Sequence, residues 1–208
     1  MKKTLLLAGI FVFLAYFNCF AAVNVADRTG AVQIKMPDGT VTVVEAGQEL
    51  PVIPNGAVIT ILSGTANIST TGTSQVSVVS GTTTVQVAQG SAVSVSTDQA
   101  TGTASFASTA GTVTVTTANG NTAQLNAGTA IQVTVNKDTG TTNIKATAGQ
   151  VTVTTPTGKT VQLDSSSNSS FTSDDKGEAY TPPPAPPVED VETAVTTEET
   201  TSDISPTK

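Results

Sequence analysis

The amino-acid sequence predicts an all-β fold, and two observations carry that prediction. Short apolar–polar alternations such as TVTVT (112–116) recur along the chain, and a period of two is typical of half-buried strands. Glycines separate these alternations, at intervals of eight, nine or twelve residues between Gly30 and Gly158. Residues 22–173 show no helical period. We therefore expect strands from about Ala31 to Phe171, turning at glycine corners.

A longer repeat underlies the alternations. Gly90–Ala127 aligns with Gly128–Ser165 without a gap, with 18 identities in 38 positions. Each unit carries four short alternations and only about eight inward apolar residues. Burial of each contributes roughly 1.5–3 kcal/mol while ordering a residue costs about 1.5 kcal/mol, so one unit could not fold alone. Repetition at this period therefore predicts stacked or wrapped units.

We accordingly expect a compact β-solenoid or β-helix built from 38-residue repeats of four short strands. A β-sandwich is the alternative, because it shares short strands and regular turns. The gap-free period favours the solenoid.

The N-terminal residues predict export from a bacterial cell. Lys2 and Lys3 precede an apolar stretch over 4–17, and Cys19 and Ala21 stand at the −3 and −1 positions of a cleavage site, so residues 1–21 are expected to be a signal peptide. The mature protein would be periplasmic or secreted, with no transmembrane span after cleavage. A lipoprotein anchored at Cys19 is a less favoured alternative, because the residues before Cys19 are bulky or polar.

The C-terminal residues have a different composition from the body. TPPPAPPVED (181–190) favours extended polyproline II, and the acidic sequence after it lacks aromatic residues. Such a segment cannot bury enough apolar surface to offset its ordering entropy. We expect a folded domain over 22–173 and a disordered Pro-rich acidic tail over 174–208, more plausibly a solubilising tail than a spacer or docking segment.

The charge distribution argues against nucleic acid and anionic membrane surfaces as partners. Residues 22–173 contain seven acidic and five basic side chains, whereas residues 174–208 contain nine acidic and two basic ones. Nucleic-acid binding needs clustered Lys and Arg that release phosphate counterions, and anionic membranes attract similar clusters. We therefore expect no nucleic-acid partner.

The residue inventory argues against catalysis. The chain has no histidine, and Cys19 is its one cysteine, so the mature protein has no Ser–His or Cys–His nucleophile, no disulfide and no Cys/His zinc set. Lysines that could support a Ser–Lys pair are expected in turns or on outward faces: Lys35, Lys137, Lys145 and Lys159. The same holds for carboxylates that could act in pairs, several of which lie in turn sequences: Asp27, Asp38, Glu45, Glu49, Asp98, Asp138 and Asp164. We predict no enzyme and no catalytic, cofactor-binding or metal-binding residues.

Three segments share one layout: GAVQIKMPDGTVTVVEAGQEL (30–50), GTVTVTTANGNTAQLNAGTAI (111–131) and GQVTVTTPTGKTVQLDSSSNS (149–169). In each, a strand leads to a turn whose glycine follows nine residues after the first, and a second strand follows. The MPDGTVTVVEAG and LNAGTAI segments resemble the repeated motif of the FecR-type domain, an extracytoplasmic β-helical module. The resemblance implies a non-catalytic domain outside the inner membrane. Sigma-factor regulation is not implied, because this chain has a signal peptide where those proteins have a cytoplasmic segment.

These inferences predict a protein-interaction or envelope-structural module whose partner is an envelope protein or a surface polymer. The alternative is a carbohydrate- or surface-binding adhesin with a Thr, Ser, Asn and Gln face. Ice binding is disfavoured. Thr112, Thr114 and Thr116 fall in register with Thr152 and Thr154 one repeat later, but the upstream counterparts are Gln75 and Ser77, so the ladder has two good steps.

Overall fold

A computed structural model describes residues 22–179, and in them the chain forms sixteen short strands and no α-helix. Ser165–Ser167 forms one turn of 3-10 helix. The strands are β1 Val23–Ala26, β2 Val32–Lys35, β3 Val41–Val44, β4 Val58–Ile61, β5 Gly64–Thr70, β6 Val76–Ser80, β7 Thr83–Val87, β8 Ala92–Asp98, β9 Thr103–Ala110, β10 Thr112–Thr116, β11 Thr122–Asn126, β12 Ala130–Val135, β13 Thr142–Ala148, β14 Gln150–Thr154, β15 Thr160–Asp164 and β16 Ser170–Ser173. The all-β prediction is confirmed.

The strands form two open sheets that share one core. The seven-stranded sheet has the order β1-β5-β8-β9-β12-β13-β16, and the nine-stranded sheet has the order β15-β14-β11-β10-β7-β6-β4-β2-β3. Neighbouring strands are antiparallel except for the parallel pair β4 and β6. Successive hairpins alternate between the sheets, from β6–β7 through β8–β9, β10–β11 and β12–β13 to β14–β15. Two facing antiparallel sheets fit a β-sandwich, the alternative architecture that the sequence left open.

The core lies between the sheets and consists of the apolar positions of the alternations. On β10, Val113 and Val115 are buried while the threonines between and beside them are exposed or half-buried. Phe106 on β9 is the largest fully buried side chain. Because each strand contributes only a few such side chains, neither sheet has a core until the other covers it.

The 38-residue repeat coincides with the strand boundaries. β10 Thr112–Thr116 and β11 Thr122–Asn126 recur 38 residues later as β14 Gln150–Thr154 and β15 Thr160–Asp164. One unit is therefore one hairpin in the seven-stranded sheet followed by one hairpin in the nine-stranded sheet. β16 begins a further unit, because it pairs with β13 as β12 pairs with β9.

Four hairpins turn in the same way. In Met36–Thr40, Thr117–Asn121, Thr155–Lys159 and Asp174–Glu178, the first residue's N–H donates to the carbonyl of the fifth, and the glycine at the fourth position donates to the carbonyl of the first. The glycine has φ between 81° and 89°, which a side chain would disfavour. This pattern matches a three-residue hairpin loop with a bulge. The β6–β7 hairpin differs, since only Gly81 and Thr82 separate its strands.

The two predicted end segments lie mostly outside the described residues. The expected signal peptide, 1–21, lies wholly outside them, as does the tail over 180–208. Asp174–Glu178 forms the turn described above, and Ser173 makes an antiparallel bridge with Ala179. The strand and turn structure of the described residues therefore extends to Ala179. No helix that could cross a membrane occurs in the part of the chain that the structure describes.

Candidate interaction face

Two parallel rows of side chains cross the outer face of the nine-stranded sheet. Strand pairing places one residue of each strand in each row. From β3 to β15, the first row is Val41, Lys35, Val58, Ser77, Gln86, Thr114, Gln124, Thr152 and Gln162. The second row is Val43, Gln33, Thr60, Val79, Thr84, Thr116, Thr122, Thr154 and Thr160. Neighbouring positions in a row are about 4.8 Å apart, the usual strand spacing.

The rows change character along the sheet. Over β7, β10, β11, β14 and β15 they contain only threonine and glutamine, and we call these ten positions the Thr/Gln face: Thr84, Gln86, Thr114, Thr116, Thr122, Gln124, Thr152, Thr154, Thr160 and Gln162. At the opposite edge, Val41 and Val43 are each 50% exposed. Lys35 is the one charged residue in either row. The two rows therefore carry almost no charge.

The threonines lie in a different register from the one the sequence predicted. Thr114 and Thr152 were expected on successive rungs, but β11 lies between their strands and places Gln124 between them. The sequence comparison missed this intervening strand because it considered only positions one repeat apart. Gln75 lies outside both rows, and the neighbour of β10 on the upstream side is β7, with Thr84 and Gln86. The second row consequently runs through five threonines on five adjacent strands.

The lysines considered for a Ser–Lys pair lie apart from one another. Lys35 and Lys145 lie on outward positions of β2 and β13, and Lys137 lies in the β12–β13 turn. Lys159 lies in the β14–β15 turn, where its Nζ is 3.8 Å from Glu178 Oε2. None of these ammonium groups donates to a serine among the described residues.

The carboxylates considered for pairwise chemistry lie mainly in turns or at strand ends. Asp38 Oδ1 accepts the N–H of Thr40 at 2.8 Å, and this bond lowers the pKa of Asp38. Asp164 caps the 3-10 turn, and its pKa is lowered mainly by the Ser166 hydroxyl and then by the Gln150 amide. The pKa of Asp98 is lowered mainly by Thr101 in the same turn. Within residues 22–179 no three metal-ligating side chains converge.

A cleft opens at one end of the sandwich, between the two sheets. Its volume is about 330 Å³, and the β6–β7, β8–β9 and β12–β13 turns surround it. Val133, Val135 and Ala104 provide apolar walls, and Asp98, Gln99 and Lys137 lie among the residues of the turns. A shallower hollow of about 170 Å³ lies on the outer face of the seven-stranded sheet, lined by Ser94, Ser96, Ser105, Ala107 and their neighbours.

Sequence reasoning missed a buried polar cluster at the same end of the sandwich. Asn119 Nδ2 and Asn121 Nδ2 each lie 2.8 Å from Ser173 Oγ, and Asn119 Nδ2 also donates to the Asp174 carbonyl at 2.7 Å. TANGN (117–121) looks like an ordinary exposed turn in the sequence. No local pattern could have indicated that its amides bind a strand more than fifty residues away.

Comparisons with known proteins leave the family open. No protein-family model matches the chain, and no curated protein matches it significantly. A crystal structure of a protein provisionally named an anti-sigma factor, from Parabacteroides distasonis ATCC 8503, is similar over 69% of this chain, with a TM-score of 0.37 and 16% sequence identity. The match spans 59% of that protein's chain. A likeness at this TM-score carries no argument, so the FecR-type resemblance stays a prediction.

Proposed function

We propose that this chain is an exported, non-catalytic β-repeat protein, similar to the FecR-type domain, that acts as a protein-interaction or structural module of the bacterial envelope. The observation that carries the proposal is the near absence of charge from the two rows on the nine-stranded sheet. Cores of protein interfaces are depleted in Lys, Glu and Asp, because a charge that loses its water is costly to bury. Threonine and glutamine lose their water at less cost and can form hydrogen bonds with a partner.

Val41 and Val43 continue the uncharged surface of the two rows to the edge of the nine-stranded sheet. Val41 and Val43 lie on β3, the edge strand of the nine-stranded sheet, and half of each side chain is exposed. Exposed apolar side chains on an edge strand favour association with another protein, because the free strand edge also offers backbone hydrogen bonds. The proposed docking surface therefore runs from this edge onto the Thr/Gln face.

A charge-insertion experiment tests the proposed surface. Thr116→Lys with Thr152→Lys places two non-adjacent charges on the Thr/Gln face, and Asn24→Lys with Ser96→Lys places two on the outer face of the seven-stranded sheet. Chemical cross-linking and pull-down from envelope extracts should capture a protein with the wild type and the control pair but not with the face pair. Equal capture by both pairs, with both folded by circular dichroism, would falsify the proposed surface.

The alternative function is that of a carbohydrate- or surface-binding adhesin. The hydroxyl and amide groups of the Thr/Gln face favour it, since these groups can pair with sugar hydroxyls. A glycan array with the same two variant pairs separates the functions: glycan binding lost in the face pair, without protein capture, supports the adhesin. Ice binding remains disfavoured, because Gln86, Gln124 and Gln162 alternate with threonines in the first row. A measurable thermal hysteresis would reverse that judgement.

Solenoid-like behaviour is part of the proposal. If the units stack in one dimension, each contributing similar interactions with its neighbours, a whole unit can be removed without loss of the fold. Deletion of residues 128–165 joins Ala127 to Ser166 and should leave a cooperatively folding protein of lower stability. Deletion of 128–148 removes only the β12–β13 hairpin and uncovers Val151, Val153 and Leu163. One-dimensional stacking of the units is contradicted if deletion of 128–165 unfolds the protein as completely as deletion of 128–148.

Export is tested by the N-terminus of the mature protein. Cleavage after Ala21 predicts that the exported protein begins at Ala22, one residue before β1. Cys19→Ser should leave the mass of the mature protein unchanged, whereas a lipoprotein would lose its lipid and its membrane association. Intact mass spectrometry of periplasmic and membrane fractions distinguishes the two.

A further inference from the structure

The cleft at the end of the sandwich has a filled counterpart one unit later. β7 and β11 occupy equivalent places, since β10 pairs with β7 as β14 pairs with β11, so Thr83 corresponds to Asn121. β12 and β16 are likewise equivalent, and their pairing with β9 and β13 makes Val133 correspond to Ser173. In the filled counterpart, Asn121 Nδ2 is bound to Ser173 Oγ at 2.8 Å.

The cleft is open because its hairpin turn is one residue shorter. Gly81 and Thr82 connect β6 to β7, whereas Ala118, Asn119 and Gly120 lie at the equivalent place between Thr117 and Asn121. The counterpart of Asn119, whose amide reaches Ser173 and the Asp174 carbonyl, is therefore missing. A shorter turn, with Thr83 in place of Asn121 and Ala104 in place of Thr142, leaves about 330 Å³, within the range of roughly 300–1,000 Å³ typical of small-ligand sites.

The residues that line the cleft indicate which class of ligand could bind there. Replacement of Asn121 and Ser173 by Thr83 and Val133 removes the hydrogen bond between the two positions. Val133, Val135 and Ala104 form an apolar wall there. Thr83 is almost wholly buried and lines the cleft, yet its hydroxyl makes no hydrogen bond to any described residue. The Ser80 and Thr97 hydroxyls satisfy each other at 2.5 Å. The Thr83 hydroxyl beside this apolar wall favours a ligand with an apolar body and a single hydrogen-bonding group.

The residues that line the cleft carry one charge of each sign. Asp98 and Lys137 are both exposed there and have opposite signs. Asp98 Oδ1 already accepts the N–H groups of Ala100 and Thr101 within its own turn. Neither an anion nor a cation therefore finds a net complementary charge, and a charged group placed beside Thr83 would lose its water.

From these observations we propose that the cleft binds a small uncharged aliphatic ligand that carries one hydrogen-bonding group, with that group at Thr83 and the hydrocarbon against Val133, Val135 and Ala104. This site lies between the sheets and does not depend on the Thr/Gln face. Its occupancy can therefore be tested whatever the outcome of the charge-insertion experiment.

The test uses n-hexanol, with n-hexanoate and n-hexylammonium as charged analogues, on the full mature protein with 13C-methyl-labelled valine. Hexanol should bind saturably with a Kd tighter than ~1 mM, and the methyl signals of Val133 and Val135 should shift while those of Val41 and Val43 stay in place. The charged analogues should bind at least about tenfold more weakly. Absence of saturable binding, equal binding of the analogues, or shifts centred on other valines would each overturn the proposal.

Two variants test the assigned groups. Thr83→Val keeps the side-chain shape, removes the hydroxyl and should weaken hexanol binding about three- to tenfold, the value of one net hydrogen bond. A graft of Ala-Asn-Gly in place of Gly81–Thr82, with Thr83→Asn, Ala104→Thr and Val133→Ser, reproduces the residues of the filled counterpart and should abolish binding. Undiminished binding to either folded variant overturns the assignment. If the graft does not fold, the wild-type methyl shifts and Thr83→Val decide the question.

Discussion

Asn121 Nδ2 donates a hydrogen bond to Ser173 Oγ at 2.8 Å, across 52 residues of sequence and between the two sheets. Both residues are 0% exposed. Asn121 lies at the end of the turn before β11 in the nine-stranded sheet, and Ser173 ends β16, the last strand of the seven-stranded sheet. This hydrogen bond therefore links the strand that begins the incomplete last unit to the unit of residues 90–127, two units earlier.

Asn121→Ala should destabilise the protein by about 1–3 kcal/mol, because a buried donor and its bonds to Ser173 and Asn119 are lost. Urea unfolding measures the effect. Asn126→Ala is the control: Asn126 is exposed, its bond to Thr112 is a surface one, and the change should be within about 0.5 kcal/mol. A double-mutant cycle with Ser173→Ala should give a coupling of about 0.5–3 kcal/mol. A coupling near zero would contradict the role assigned to the pair.

The hydrogen-bonded cluster of Asn119, Asn121 and Ser173 could not be predicted from the sequence, whereas the strands could. Local alternation was enough to predict strands, because a side chain's inward or outward position depends only on its neighbours in the strand. Val113, Val115, Leu125 and Ile131 are all buried as the alternation indicates. The 38-residue repeat could also be predicted from the sequence, because each strand of one unit has an equivalent strand in the next unit.

The sheet assignment could not be read from the sequence. A repeat of four alternations is equally compatible with one continuous coil and with hairpins that alternate between two sheets, because both bury the same positions. The distinction lies in which strands pair, as with Thr114 and Gln124, and side-chain periodicity holds no information about it. The cleft was likewise unpredictable, because it results from a turn that is one residue short and from contacts between units.

Phe106 is the largest fully buried side chain of the core, so its truncation should have a large effect on stability. It is fully buried on β9, next to Val95 on β8 and Ile131 on β12. Phe106→Ala should cost about 3–5 kcal/mol because it leaves a cavity that rigid strands cannot fill. Phe106→Ile, the residue that stands at the equivalent position 144, should cost clearly less. Val52→Ala, at a 92% exposed position, is the surface control and should change the urea midpoint little.

Gly30 is required for a close approach between two segments of chain. A Cβ at this position would overlap the Ser63 backbone carbonyl, and backbone cannot rotate away as a side chain can. Gly30→Ala should therefore destabilise the protein by about 1–3 kcal/mol or more. Gly128→Asn is the matched control: that glycine has φ of 84° and open space around it, and asparagine tolerates this conformation. Similar thermal midpoints for the two variants would refute the steric explanation.

Stability should depend on pH only under acidic conditions. The pKa of Asp164 is lowered in the folded protein, mainly because the Ser166 hydroxyl donates to Oδ1 at 2.7 Å, and the pKa of Asp38 is lowered mainly by the Thr40 N–H. A lowered folded-state pKa contributes stability that is fully present above the unfolded value of about 3.9 and is lost as the pH falls through the folded value. With no histidine in the chain, we expect a flat urea midpoint between about pH 6 and 8 and a decline below about pH 4.

Substitutions around Asp164 separate its contribution from that of the other carboxylates. Asp164→Asn removes the titrating group, and Ser166→Ala removes the strongest cause of its lowered pKa, so both variants should lose less stability than the wild type between pH 5 and pH 3. Ser167→Ala should retain the wild-type acid dependence, because the Ser167 hydroxyl donates to the backbone carbonyl of Asp164 and not to its carboxylate. If all three variants decline in parallel with the wild type, Asp164 does not contribute to the acid sensitivity, and carboxylates elsewhere in the chain must account for it.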